Sequence, residues 1–325
     1  MEPAISVKNL TKKFQTTTKE PGFLGGLKSI FSPKYKHVTA VDRVSFDIAE
    51  GELVGFIGPN GAGKSTTLKM LTGILFPTSG AINVLGHNPQ EERVKLAFKI
   101  GTIFGQRQQL WLHLPPIDSF NLFAKIYELK DSDYQQRLKE LVDIFELEPF
   151  LQTPVRKLSL GERMRCEFVA SLLHRPQVLF LDEPTIGMDI IAKKKLREFV
   201  KKLNEQEKTT VILTSHDLDD IEELCERVIV INHGKILYDG PMESLRKRLK
   251  HKIVEFYFHE PVKEPPAVAH TKVLKHEPYM LRLQLDCTKV TVREVLDRIM
   301  KACKVDDIAI EDPPIEEVIE RLYRQ

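Results

Sequence analysis

The residues whose types and spacing could do chemistry begin with a glycine-rich loop, Gly58-Pro59-Asn60-Gly61-Ala62-Gly63-Lys64-Ser65-Thr66. Two glycines separated by four residues and followed by lysine and a hydroxyl residue have the spacing of a phosphate-binding P-loop. In such a loop backbone N–H groups converge on a phosphate, and the start of the following helix adds partial positive charge. We expect Lys64 to reach the β- and γ-phosphates of a nucleotide and Ser65 to ligate Mg²⁺.

A second group is the acid pair Asp182 and Glu183, which closes the apolar run 178–181. A continuous apolar run is typical of a strand buried on both faces of a parallel sheet. Because ligands gather at the carboxyl ends of such strands, we expect both acids to lie beside the P-loop. Neighbouring residues of a strand point to opposite sides, which predicts different roles. Asp182 is predicted to join the Mg²⁺ ligands and Glu183 to polarise the attacking water.

The third feature is Leu158-Ser159-Leu160-Gly161-Glu162. Ser159 and Glu162 have the S-x-x-E spacing of a capping box, in which each side chain accepts a hydrogen bond from the other residue's backbone N–H. The pattern therefore predicts a helix that begins here and continues to Leu172. A capped helix start beside a glycine is also a candidate anion site.

With these three motifs the chain resembles the ATP-binding-cassette (ABC) ATPases over residues 4 to 240. The resemblance implies that Ser159 and Gly161 contact the γ-phosphate of an ATP held by the P-loop of a second subunit. The chain departs from the family pattern twice, with Leu160 for the first glycine of the signature and Glu162 for its glutamine. We interpret Glu162 as a helix-capping residue and not as a phosphate ligand.

The resemblance also assigns roles to single residues. Gln106 matches the glutamine that senses Mg²⁺ and the attacking water, so it is expected in both the catalytic and the metal set. His216 matches the histidine that contacts the γ-phosphate, and Asp189 matches the aspartate that links two active sites across the dimer. For the aromatic ring that stacks on adenine the sequence offers Tyr35 and Phe14, and we favour Tyr35 because its polar tip can stay wet.

The expected fold is an α/β P-loop NTPase of the ABC type, with a RecA-like core, an antiparallel β subdomain and a helical subdomain at about residues 107–175. Residues 1–245 form this domain, and residues 246–325 are expected to form a small α+β accessory domain. In the latter, Thr291 and Glu294 have the spacing of a second capping box.

The implied function is an ATP-binding and hydrolysing subunit of a transporter, with ATP and Mg²⁺ as cofactors. The residues around Gln106 and Trp111, with Leu158–Gly161, are most similar to ABC-2 type exporters, in which the permease is a separate chain. The expected partners are such a permease and a second copy or homologous ATPase, at the cytoplasmic face of the membrane. A non-transport ABC ATPase of a soluble complex is the alternative. Nothing in the residues identifies the cargo.

Composition fits this interpretation. A net charge of +2 gives no support for a nucleic-acid surface. The four cysteines are scattered without metal-ligand spacing, which is typical of reduced thiols. No apolar run approaches the roughly 18 residues of a membrane span. We therefore expect the membrane pathway to belong to another polypeptide.

Two features leave alternatives open. Trp111, the single tryptophan, is either part of a partner surface or a core anchor of the helical subdomain. Residues 15–37 form an insertion with Leu24, Leu27 and Phe31 at helical spacing beside lysines. This insertion is either a membrane-facing element or a solvated loop.

Overall fold

The computed structural model describes residues 2–18, 34–104, 108–215, 218–247, 251–312 and 314–323. The chain divides into two compact units, Met1–Asp239 and Gly240–Gln325. The sequence placed this division six residues later, after residue 245. The short helix that follows residue 241 belongs to the second unit instead.

The described elements of the first unit follow one another in chain order. They are β1 (Ile5–Thr18), β2 (Lys34–Ile48), β3 (Leu53–Ile57), α1 (Lys64–Leu71), β4 (Ser79–Val84), α2 (Arg93–Ala97), β5 (Ile100–Phe104), α3 (Pro116–Ile126), α4 (Asp131–Phe145), α5 (Leu160–Leu172), β6 (Val178–Asp182), α6 (Ile190–Glu207), β7 (Thr210–Thr214), α7 (Leu218–Leu224), β8 (Arg227–Asn232) and β9 (Lys235–Pro241).

A six-stranded sheet in the order β5-β6-β7-β3-β8-β9 forms the centre of this unit. The five strands β5, β6, β7, β3 and β8 run parallel to one another. Every residue of β3, β6 and β7 is buried, as expected for strands covered on both faces. The carboxyl ends of these three strands therefore meet at one edge, where the P-loop and the acid pair follow.

An antiparallel sheet in the order β2-β1-β4 packs into the same hydrophobic core. β1 and β2 remain paired out to Thr18 and Lys34, so the flanks of the expected insertion continue these two strands. Residues 19–33 lie outside the described residues, and so do Leu24, Leu27 and Phe31, on which the membrane-facing interpretation depends.

The helical subdomain consists of α3, α4 and α5, with two short 3₁₀ turns between α4 and α5. Leu110 is buried there, whereas the side chain of Trp111 is 49% exposed. Trp111 is therefore a surface residue, and the core-anchor alternative is wrong. Leu112 and Leu114, which follow closely in the chain, are also exposed.

The second unit is an α+β layer with a four-stranded antiparallel sheet in the order β11-β12-β10-β13. Its described elements are α8 (Met242–Arg246), β10 (His251–Phe258), β11 (Thr271–Glu277), β12 (Met280–Asp286), α9 (Val292–Ala302), β13 (Val305–Glu311) and α10 (Ile315–Tyr323). Buried side chains of β10, β12 and α9 share one core. The predicted capping box of Thr291 and Glu294 is present at the start of α9. Within the described ranges, no helix is both long and apolar enough to cross a membrane.

Candidate nucleotide site

The P-loop lies between β3 and α1, as the strand-loop-helix pattern predicts. The residue before α1 is Gly63, whose φ of 112° lies in the left-handed region. A Cβ at this position would lie 2.5 Å from the carbonyl oxygen of Ala40, so only glycine fits. No side chain caps the start of α1. Its first N–H groups therefore remain available to an anion in the cavity.

Lys64 folds back over the loop that carries it. Its Nζ donates to the carbonyl oxygens of Gly58 at 2.5 Å and Pro59 at 3.4 Å. Burial lowers the pKa of Lys64, while the nearby carboxylates of Glu183 and Asp182 partly oppose this shift. The lysine is therefore a buried cation beside two acids, which is the electrostatic setting for a polyphosphate and a divalent cation.

Asp182 lies at the end of β6 and is hydrogen-bonded both to the P-loop and to the neighbouring strand β7. Ser65 Oγ donates to Asp182 Oδ1 at 3.1 Å, and Thr214 Oγ1 donates to the same oxygen at 2.7 Å. A hydroxyl and a carboxylate within hydrogen-bond distance are hard oxygen donors, which suit Mg²⁺. The residues present thus fit the expected ion. Thr214 was not predicted from the sequence, although its position at the end of the neighbouring strand was a usable signal.

Glu183 differs from the expectation that it would continue the strand. β6 ends at Asp182, and Glu183 has a φ of 57°, in the left-handed region. Its backbone N–H donates to Thr214, to the carbonyl oxygen at 3.1 Å and to Oγ1 at 3.2 Å. Such a conformation costs about 1 to 3 kcal/mol in a residue with a Cβ. A change of backbone direction, and not strand alternation, separates the two acids.

These groups surround one cavity of about 680 Å³. Of the predicted residues, its lining includes Pro59 through Thr66, Asp182 and Glu183. The sequence did not single out four further lining residues: Ala40, Lys69, Phe104 and Ile186.

The start of α5 carries the predicted capping box. Ser159 N–H donates to Glu162 Oε2 at 2.8 Å, and Glu162 N–H donates to Ser159 Oγ at 3.3 Å. This geometry agrees with the interpretation of Glu162 as a capping residue. Neither Ser159 nor Gly161 is among the described residues that line the P-loop cavity.

Leu160 does not crowd the glycine that follows it. Its side chain covers the bare Cα of Gly187, where an added Cβ would collide with Leu160 Cδ2. Gly187 also has a φ of 72°. Around Gly161, by contrast, the closest atom to an added Cβ is Gly187 O at 4.0 Å. The backbone of Gly161 is therefore approachable despite the leucine.

The remaining predicted residues are placed only in part. Asp189 caps α6, since its Oδ1 accepts the N–H of Ala192 at 2.8 Å. Gln106 and His216 lie outside the described residues, as does the side chain of Tyr35. Phe14 is 36% exposed, and the ammonium of Lys12 lies 5.2 Å from its ring centroid.

Comparisons with known proteins agree with this geometry. The family model described as ABC transporter matches residues 41–186. The ABC transporter ATP-binding protein NatA of Bacillus subtilis is 32% identical over 228 residues, covering 70% of this chain and 92% of NatA. The bacitracin transport ATP-binding protein BcrA of Bacillus licheniformis is 34% identical over 222 residues, covering 68% of this chain and 71% of BcrA.

A solved dimeric ATP-binding cassette, in a post-hydrolysis state bound to ADP and Pi, superposes with a TM-score of 0.62 at 26% identity. The match covers 73% of this chain and 98% of that one. The expected α/β P-loop fold is thereby confirmed. The chain belongs to the ABC transporter family, as an ATP-binding subunit that hydrolyses ATP.

Proposed function

We propose that this chain drives an export-type ABC transporter by closing on a second ATPase chain around ATP. In each composite site the P-loop of one chain would hold the nucleotide, and Ser159 and Gly161 of the other would contact its γ-phosphate. The observation that supports this most is the position of α5. Its exposed start carries the signature residues but does not line the chain's own cavity.

Within the site, the residues divide the work of hydrolysis. The uncapped start of α1 and Lys64 bind the phosphates and offset the charge that develops on them. Glu183 and His216 orient the attacking water, and Gln106 senses that water and the metal. Asp189 acts at the contact between the two sites, from the turn just before α6.

Ser65 and Asp182, with Gln106, are the proposed protein ligands of Mg²⁺. When bound, the ion neutralises charge on the β- and γ-phosphate oxygens. The hydrogen bond from Thr214 fixes the carboxylate of Asp182, which keeps its oxygens directed toward Ser65 before any ion is present.

A separate integral-membrane permease is the proposed partner, and it would hold this subunit at the cytoplasmic face. Support comes from the bacitracin transport relative and from the exposed apolar surface of Trp111, Leu112 and Leu114 beside the helical subdomain. The permease would determine the cargo. For adenine stacking, Tyr35 remains the proposed residue and Phe14 the alternative.

The test is Glu183→Gln, which keeps the shape of the side chain and removes its negative charge. We expect ATP to remain bound and turnover to fall at least about 100-fold. The variant should elute as an ATP-dependent dimer in size-exclusion chromatography, while ADP leaves it monomeric. Fast hydrolysis by this variant would overturn the role of Glu183. A Glu183→Gln variant that binds ATP but remains a monomer would overturn the composite site.

A further inference from the structure

A buried carboxylate lies on α5, two turns after the signature residues. Glu167 is 3% exposed, and it faces the chain that follows β5. The backbone N–H of Gln109 donates to Glu167 Oε1 and Oε2, both at 3.1 Å, and the N–H of Leu110 donates to Oε1 at 3.4 Å. Hydrogen bonds to an ionised acceptor are about twice as strong as neutral ones. The carboxylate thus fastens this segment to α5.

A second set of hydrogen bonds joins the same region to α5, one helical turn further along. Gln109 Nε2 donates to the carbonyl oxygen of Thr102 at 2.6 Å and to Ser171 Oγ at 3.2 Å. Ser171 Oγ in turn donates to Thr102 O at 3.0 Å. Thr102 lies in β5, two residues before the cavity-lining Phe104. The end of β5 is therefore bonded to α5 as well.

These contacts bracket one short stretch of the chain. Thr102 precedes Gln106 by four residues and Gln109 follows it by three, and both are bonded to α5 through Ser171 and Glu167. We propose that Glu167 is a positioning residue for ATP hydrolysis: it makes the chain on either side of Gln106 move as one body with α5, the helix that Ser159 caps. The inference rests on the proposed roles of Gln106 and Ser159.

The hydrogen bonds from Gln109 and Leu110 to Glu167 form a clamp between this segment and α5. The charge state of Glu167 controls its strength. Burial raises the pKa of Glu167 to about 7, against the lowering effects of the two N–H donors and of Arg163. The neighbouring Cys166 thiol stays neutral, since burial raises its pKa to about 12. Above pH 7 the carboxylate accepts both N–H bonds. Below it the protonated acid is a weaker acceptor, and the clamp loosens.

The consequence reaches two proposed half-sites at once. A displaced segment after β5 would disturb the proposed role of Gln106 at the nucleotide of its own chain. A displaced α5 would carry Ser159 away from the nucleotide of the second chain. The exposed Trp111 directly follows Leu110. Because the segment after β5 and α5 are coupled, a contact made at Trp111 would alter both half-sites.

The test compares Glu167→Gln with Glu198→Gln, a matched control that removes the same charge from an exposed position of α6. In the full chain we expect Glu167→Gln to lower kcat about tenfold at pH 8, with ATP affinity unchanged. Wild type and the control should gain activity as pH rises from 6 to 8. The Glu167→Gln variant should lack the part of this rise centred near pH 7. The ratio of its kcat to that of wild type should therefore fall as the pH rises. A constant ratio across this range would overturn the proposal.

Gln106→Ala separates this inference from the proposed function. We expect Gln106→Ala to lower kcat, and Glu167→Gln to add little in the Gln106→Ala background because both changes act through the same residue. A fully active Gln106→Ala variant would refute the proposed role of Gln106. An impaired Gln106→Ala variant with fully additive losses in the double variant would refute the clamp alone.

Discussion

Two helix starts in this chain are each proposed to meet an ATP phosphate, α1 in the chain's own site and α5 in the site of a second chain, and they are built differently. The start of α1 has no side-chain cap and a glycine that cannot be replaced, and it forms the wall of a cavity. The start of α5 is capped by its own side chains and is exposed. A site that holds its ligand constantly can leave the first N–H groups of its helix without a side-chain cap, since the ligand accepts their hydrogen bonds. A site that meets its ligand only in a dimer must satisfy those groups in the meantime.

The contrast between the two helix starts fails if the start of α1 is not the one that holds ATP. Lys64→Ala removes the buried cation beside the phosphates, and we expect ATP hydrolysis to fall about 1000-fold. Binding of a fluorescent ATP analogue to the single chain should fall with it. Lys194→Ala, at an exposed position of α6, is the control and should behave as wild type. Retained binding in Lys64→Ala would remove the distinction between the two starts.

A matched glycine pair sharpens the comparison. Gly63→Ala forces a Cβ to within 2.5 Å of Ala40 O, so we expect lost ATP binding and a free energy of unfolding lower by more than about 2 kcal/mol. Gly161→Ala has room, and its stability should stay within about 0.5 kcal/mol of wild type. That variant should still bind ATP as a single chain and yet lose hydrolysis about tenfold or more.

Calorimetry and ATP titration of both glycine variants give the measurement. If Gly161→Ala lost nucleotide binding by the isolated chain, α5 would belong to the chain's own site. If it hydrolysed ATP normally, the start of α5 would have no contact with phosphate in either chain.

The smallest expected effect concerns the cap itself. Glu162→Ala removes one half of a capping box, and we expect a loss of about 1 kcal/mol in the free energy of unfolding. Glu294→Ala removes the same half from α9, where the bond lengths are 3.0 and 3.3 Å, and should cost a similar amount. Both are measured by denaturant unfolding. Abolished hydrolysis in Glu162→Ala at an unchanged melting temperature would show that the residue touches the nucleotide.

The sequence predicted those parts of the molecule whose cause is local. The P-loop, both capping boxes and the apolar strands depend on residues close together in the chain, and each is present as expected. The sequence does not predict β11, because most of its side chains are exposed and its residues show no alternation of apolar and polar positions. The paired flanks of the insertion were missed for a related reason. Pairing of Thr18 with Lys34 depends on a partner strand, not on either segment alone.

In the site, the unpredicted features all depend on contacts distant in sequence. Thr214 reaches Asp182 across 32 positions, and Glu167 reaches Gln109 across 58. Glu167 is the one charged residue in the stretch 166–172 of α5, which was the available signal, but its burial follows only from packing. The left-handed conformation of Glu183 likewise arises from the fold around it, because glutamate has no intrinsic preference for that region.

The paired ends of β1 and β2 make the chain easy to modify. At Thr18 and Lys34 the two backbones are neighbours in an antiparallel ladder, about 5 Å apart. A sequence spliced between such ends need not reach across the sheet, and doubling its length costs only about 0.6 kcal/mol in closure entropy. This stem can therefore serve as a grafting point, where a two-residue turn, an affinity tag or a fluorescent reporter replaces residues 19–33 while the ATPase unit keeps its register.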